Sequence, residues 1–378
     1  YGDHRDLHSF PTRRSSDLKR TFARTHERWT ELLSTGQAMA RLFPAEADGP
    51  LACSEAYAKL GNLGAATDTL QQARTRFGSS EKILIPLGQL LIKYKEVEAL
   101  AEVGAVLSES HPKNFNGPWF QAQALALAGD TAQAIEILRS ADKAHNKNTQ
   151  IKRSLANLLL NQESFSAAVL VAEEIIRATP EEPHGYIIRT NAFRRAKEFS
   201  NAYASAVEMI KIFSHVTNAC ISAIEAFNAS GHGVDAEALI NKLIENQTEH
   251  DKLWYLKGIS QKKQGKYRQA IQSFEKSMVA APGLIASYVE YGGLLQTLYP
   301  KRRELIKSFN SNFIKLFPKH ASPYLLKGRY EYDVLCDFKS AYKTLTDGCR
   351  ISPSDASILQ LLLKMSVFLK KNDDIDYY

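Results

Sequence analysis

An all-α, right-handed superhelical solenoid of antiparallel helix pairs is the fold class that this 378-residue sequence predicts. Three observations predict it. Ala66, Leu100, Ala134, Ala168, Ala202, Ala236 and Ala270 recur every 34 residues, with one substitution among them. Glycine and proline keep the same register. Counting units from Ala47, Gly61, Gly129, Gly231 and Gly265 fall at position 15, and Pro112, Pro180 and Pro282 at position 32. Between these marks apolar residues return every three or four places, the period of an amphipathic helix. A fixed period of this length belongs to a stacked array rather than to one closed core.

Composition sets the outer bounds. The chain is 44% apolar, 24% charged and 10% aromatic, ordinary for a globular or repeat protein. Its length exceeds what one core usually organises. Cys53, Cys220, Cys336 and Cys349 are too scattered for a disulfide framework. No uncharged apolar run approaches the roughly 20 residues of a membrane span.

The elements then follow in order. Residues 1–18 read YGDHRDLHSFPTRRSSDL, with neither helical nor strand periodicity. They resemble the conceptual translation of a common sequencing-library adapter and are set aside as non-native before any fold is read. Arg13 and Arg14 are therefore no targeting or nucleic-acid signal. Within residues 19–46, Arg20–Phe43 followed by Pro44 fits the remnant second helix of a truncated repeat. Residues 47–354 hold nine units, starting at 47, 81, 115, 149, 183, 217, 251 and 285 and, after two extra residues, at 321. Residues 355–378 fit the first helix of a truncated further repeat. Neither end carries the polar face of a capping repeat, so the chain reads as an interior fragment of a longer array.

Each unit predicts two short helices. In the unit from Asp251, Trp254, Gly258 and Gln261 share one face of the first, and Tyr267, Ala270, Phe274 and Ser277 one face of the second. Position 8 is small at Gly88, Ala122, Ala156, Gly258, Gly292 and Gly328, which lets two backbones approach. Proline ends the second helix. Departures from the register are Leu100, Glu304 and Ser340 at the small position 20, with Ala341 a one-place rescue. Pro50 and Pro118 replace the aromatic position 4, where Trp119 takes the aromatic role of the second. Tyr299–Glu304 predicts a longer, irregular turn, and Cys53 and Cys220 read as small core hydrophobes.

This pattern resembles the tetratricopeptide repeat family. The fullest match is W-Y-L-K-G at Trp254–Gly258, then Gly265, Tyr267, Ala270, Phe274 and Pro282. The resemblance covers residues 47–354. It implies stacked helical hairpins whose concave face is built mainly from first helices, and a non-catalytic scaffold that binds protein or peptide there.

Signals for chemistry are weak. Gly258-Ile-Ser-Gln-Lys-Lys-Gln-Gly265-Lys266-Tyr267 has six residues between its glycines where a phosphate loop needs four, and Tyr where it needs Ser or Thr. No HExxH, paired CxxC or GxSxG is present. His111, His145, His215, His250 and His320 fall in junctions between units and read as polar linker residues rather than a metal ladder. No catalytic residue, metal or cofactor, and no small-molecule substrate, is expected.

The resemblance implies a groove at positions 2, 5, 9, 12 and 13 of each unit. Those positions hold Lys93, Arg153, Asn157, Asn161, Asn191, Arg194, Arg195, Asn228, Lys262, Lys263 and Arg329. Amide side chains can pair with an extended backbone, and guanidinium groups grip carboxylates bidentately. The plain alternative is a solvated helix face. Arg153 and Asn157 resemble the first pair of the clamp that holds heat-shock chaperone tails. Ile188, Asn218 and Ser222 stand where its further polar residues would be, which disfavours that ligand.

Residues 251–378 carry 21 basic and 12 acidic side chains, against 27 and 29 in residues 1–250. An acidic partner or an anionic surface near the C-terminal third is the expectation this asymmetry raises, with a soluble surface that happens to be basic as the plain alternative. RNA binding is the weaker alternative, because C-terminal aromatics occupy core positions rather than a stacking platform. Two other readings are the repeat region of a larger enzyme, such as a transferase, and a cell-envelope lipoprotein linked to exopolysaccharide export.

Overall fold

A computed structural model describes residues 13–246 and 252–368. These residues form helices and no strand. The chain divides into two compact units, residues 1–192 and 193–378.

In the first unit, the first helices of successive repeats are α1 (Arg13–Thr25), α3 (Asp48–Lys59), α5 (Glu81–Tyr94), α7 (Asn116–Ala128), α9 (Thr149–Asn161) and most of α11 (His184–Arg195). The second helices are α2 (Trp29–Leu42), α4 (Leu63–Phe77), α6 (Val97–Ser110), α8 (Thr131–Ala144) and α10 (Phe165–Ala178). In the second unit the first helices are α13 (Thr217–Ala229), α15 (Leu253–Lys263), α17 (Ile285–Leu298), α19 (Ala321–Asp333) and α21 (Ala356–Phe368). Their partners are α12 (Phe199–Phe213), α14 (Gly233–Glu245), α16 (Tyr267–Ala280), α18 (Arg303–Leu316) and α20 (Phe338–Ile351). Within each unit every helix packs on the next, so the fold is an all-α helical-repeat solenoid.

The bend between paired helices repeats one left-handed turn in most units, the exception being the irregular turn after Tyr299, where φ is −127°. Gly129 closes α7 with φ +92°, and Asp130 then caps α8 by accepting a hydrogen bond from the Gln133 amide at 3.1 Å. Where glycine is absent from position 15 the same left-handed turn persists, at Lys95, Glu163 and Lys197 with φ of 59°, 59° and 62°. An L side chain in that region costs about 1–2 kcal/mol. Lys197→Gly is therefore expected to stabilise the second unit by about 1 kcal/mol in chemical denaturation. A loss of stability would show that the Lys197 side chain contributes more than the turn strain removes.

The recurring small positions lie in the core as expected. Ala66, Ala134, Ala168, Ala202, Ala236 and Ala270 are each 0% exposed, and so is Leu100. Ala341 is buried while Ser340 is partly exposed, which is the one-place shift. In the irregular unit Ile306, not Glu304, is buried, because the two extra residues sit in the turn between α17 and α18.

One expectation differs from the structure. Arg20–Phe43 is not a single helix but parts of α1 and α2, broken where Glu27 adopts φ +54°. Glu27 stands 34 residues before Gly61, so the bend register runs one unit further back. Arg13–Leu18, where no periodicity is legible, lies within α1.

A buried cation joins three helices of the first unit. Lys152 on α9, only 7% exposed, donates to Asp142 of α8 at 3.0 Å and to Glu174 of α10 at 2.5 Å. Burial lowers its pKa, but the two carboxylates outweigh burial and the net direction is upward from 10.5. A raised folded-state pKa gives a contribution present in full below the unfolded value and lost as pH climbs through the folded one. Stability of the first unit should therefore decline above pH 10.5, and Lys152→Met should flatten that decline. An alkaline limb unchanged by Lys152→Met would assign the decline to other groups.

Candidate partner-binding surface

Helices two apart come into substantial contact as α5 with α7, α13 with α15 and α17 with α19. All six are first helices. At these three places first helices approach each other, and no pair of second helices does so to the same extent among the described residues. Side chains facing outward from successive first helices consequently line one surface.

In the first unit that surface deepens into a cleft of about 850 Å³. Its walls come only from α1, α3, α5 and α7. Leu51, Ala58, Pro86, Leu90, Ile92 and Trp119 form the apolar lining. Trp119 is held by its indole N–H, which donates to Ser154 Oγ of α9 at 2.8 Å. Four cations stand at the cleft, Arg24, Lys59, Lys82 and Lys93, with Glu55 the one carboxylate. Arg24 Nε donates to both Glu55 oxygens, at 2.9 and 3.0 Å, and its Nη2 makes a third short contact. Lys59 lies over the Trp29 ring at 5.3 Å, and none of the three lysines makes an ion pair among the described residues. Of this set, position 13 in the repeat register identified only Lys93. The rest of the lining went unread because its positions differ from unit to unit.

The other expected groove residues are distributed unevenly. On α9, Asn157 and Asn161 are exposed and Arg153 is half-buried. Arg153 lies close enough to His184 to add to the lowering of that imidazole's pKa, which burial begins. Asn191 is half-buried on α11, in the first unit.

In the second unit, Arg195, Lys263 and Arg329 are exposed on α11, α15 and α19. Arg194 and Lys262 are committed within the fold. Arg194 pairs with Glu225 of α13 at 3.1 Å, and Lys262 with Glu290 of α17 at 2.6 Å. Neither Glu225 nor Glu290 is announced by the repeat, since the positions they occupy hold other residue types in neighbouring units. These two cations are therefore neutralised within the fold. Asn228 is not presented to solvent at all. It is 4% exposed on α13, and neither amide atom has a hydrogen-bond partner.

The buried thiols are disfavoured as thiolates. Burial pushes the Cys53 thiol up to about 11 and raises Cys220 and Cys349 as well. Burial, with Glu275 beside it, pushes the Tyr291 hydroxyl up to about 12. Among the described residues no three His, Cys, Asp or Glu side chains are grouped to hold a metal. No helix among them is long and apolar enough to cross a membrane.

The tetratricopeptide repeat family matches residues 125–191 and, again, residues 251–282. Among solved structures, yeast Tom70 aligns with a TM-score of 0.54 at 10% identity, covering 97% of this chain and 89% of that one. It shares the fold. The Cut9–Hcn1 hetero-tetramer of the APC/C aligns at 0.45 and 15% identity, covering 96% and 77%. A tetratricopeptide repeat protein of Parabacteroides merdae ATCC 43184 aligns at 0.43 and 14%, covering 84% and 97%. No curated protein sequence matches. Tetratricopeptide repeats are typically non-catalytic modules of protein interaction. The chain thus carries tetratricopeptide repeats in both compact units, within a helical-repeat fold that runs through the described residues, and these support a protein-interaction scaffold.

Proposed function

We propose that this protein is a non-catalytic scaffold that takes segments of partner proteins on the surface lined by its first helices. The observation that supports this most directly is the cleft of the first unit. It is assembled from four consecutive first helices and leaves an apolar floor and three lysines that make no hydrogen bond to a carboxylate. Such a surface suits a segment laid across several repeats, since each repeat offers a few contacts and the array adds them. Catalysis asks instead for a pocket with convergent titratable groups shifted toward neutrality. Arg153, Asn157 and Asn161 extend the same surface along α9. In the second unit, Lys263 and Arg329 are exposed to contacts, whereas Arg194 and Lys262 would first have to leave their carboxylates.

Photo-crosslinking tests the reading. A crosslinking side chain placed at Gln89 or Asn157, both exposed on first helices, should capture bound partners. The same group at Leu170, 68% exposed on the second helix α10, should not. Capture at Leu170 with none at Gln89 or Asn157 would move the interaction to the outer helices.

A further inference from the structure

We infer that the cleft between α1, α3, α5 and α7 selects acidic protein segments that carry large apolar side chains, holding the apolar groups on Trp119, Pro86 and Leu90 and the carboxylates on Lys59, Lys82 and Lys93. This rests on the scaffold reading and names the class of partner. Three features of the cleft carry it.

The first is the charge left over once the fold has satisfied itself. Glu55 is fully engaged by Arg24, through both carboxylate oxygens. Lys59, Lys82 and Lys93 make no hydrogen bond to a carboxylate, Lys82 acting only through its field on Asp48, which Arg20 already holds, and each is exposed beside an apolar wall. A basic partner would meet three like charges and no free anion. A neutral one would lower the dielectric around three ammonium groups without compensating them. An acidic one supplies the missing counter-charge.

The second is the floor. Exposed lysines alone would describe any solvated helix face, but here they surround Trp119, Leu51, Pro86 and Ile92. The Trp119 ring is fixed by its bond to Ser154, so it receives an apolar group without losing rotamer freedom of its own. A purely acidic, apolar-free segment would leave this floor wet. An apolar anchor flanked by carboxylates covers both chemistries.

The third is the backbone of α5. Pro86 lies inside the helix and has no N–H, so the Lys82 carbonyl lacks its donor four residues on. Both residues line the cleft. An incoming peptide offers backbone N–H groups, which a lipid headgroup, a free phosphate or a nucleic-acid backbone does not.

The test uses the whole chain and a fluorescein-labelled peptide in which glutamates alternate with leucine and phenylalanine, read by anisotropy. Binding is expected to weaken at least about tenfold in Lys82→Glu/Lys93→Glu, whose side chains are exposed, so helical content should not change. Lys143→Glu/Lys147→Glu makes the same change of net charge on exposed positions away from the cleft and should leave binding within about twofold of the parent. The peptide with glutamine for glutamate, and the peptide with serine for leucine and phenylalanine, should each bind at least about tenfold more weakly. Raising salt from about 0.01 M to about 1 M shortens the screening length from about 30 Å to about 3 Å and should weaken the acidic peptide alone.

Equal binding of the glutamine peptide, insensitive to Lys82→Glu/Lys93→Glu, would overturn the acidic class while crosslinking at Gln89 still upheld the scaffold reading. Equal loss in the control pair would show bulk charge rather than this cleft. Binding of a single-stranded oligonucleotide with none of the peptide would overturn the inference in favour of nucleic acid. No peptide binding together with no crosslink from Gln89 or Asn157 would remove both readings.

Discussion

Replacing Phe274 by alanine is expected to destabilise the second unit by about 3–5 kcal/mol, the loss of a buried ring and the cavity left behind. Phe274 is 0% exposed on α16 and packs with Ala270 and Leu294, under Tyr255, Ile259 and Tyr291. Its ring sits directly over Gly258 of α15. A Cβ built at Gly258 would lie 2.5, 2.7 and 2.8 Å from three ring atoms, closer than real contacts allow. Glycine at position 8 and the aromatic at position 24 are thus one packing unit. Gly258→Ala alone should destabilise, because the ring must move in a close-packed site. Added to Phe274→Ala, the same substitution should stabilise. Its methyl enters the vacated space, worth about 0.8 kcal/mol, and alanine exceeds glycine in helix propensity by about 1 kcal/mol. A double-mutant cycle in chemical denaturation reads this reversal of sign. Additive losses would mean that the two residues do not share the contact.

Gly117→Leu should cost about 3 kcal/mol or more, at or beyond the upper end of ordinary overpacking. The reason is that the obstacle is backbone rather than a side chain that can turn aside. A Cβ at Gly117 would lie 2.7 Å from the Ser108 backbone nitrogen and 2.5 Å from its hydroxyl. One at Gly104 would lie 2.8 Å from the Gln121 nitrogen and 3.0 Å from the Gly117 carbonyl. Helices α6 and α7 therefore touch main chain to main chain and can admit leucine only by separating. Repeats are stabilised by their neighbours, so the opening should spread. Hydrogen exchange is expected to quicken in α5 through α8 and not only beside the substitution. A denaturation midpoint equal to that of the parent would refute the close approach.

Those two sites divide what could be read from residues alone from what could not. Position 8 and position 20 announce themselves, because a small residue returns at the same step in unit after unit: Gly88, Gly258, Gly292 and Gly328, or Ala66 through Ala270. Glycine at position 3 carries an equally close contact but recurs only in alternate units. Gly49 faces the Ala40 backbone at 2.5 Å, Gly117 meets Ser108, and Gly185 meets Ile176 at 2.7 Å. At a 34-residue step that signal is broken at every second count, and it was passed over.

Residue pattern alone determined the repeat, the all-α class, the glycine bends and the burial of Cys53 and Cys220. These depend on contacts within a hairpin or between adjacent hairpins, which the repeat imposes identically each time. The family resemblance implies which positions face the groove. It could not say which charges there are free. Lys93 and Lys262 occupy positions 13 and 12 of their units, yet Lys262 is bound to Glu290 while Lys93 stands at an open cleft. Arg194 is spent on Glu225, and Asn228 is buried outright. Each outcome turns on the side chain offered by a neighbouring unit about 30 residues away. The step between units is regular, but the residues that meet across it are not, and so the three-dimensional packing alone decided where this scaffold keeps its unsatisfied charge.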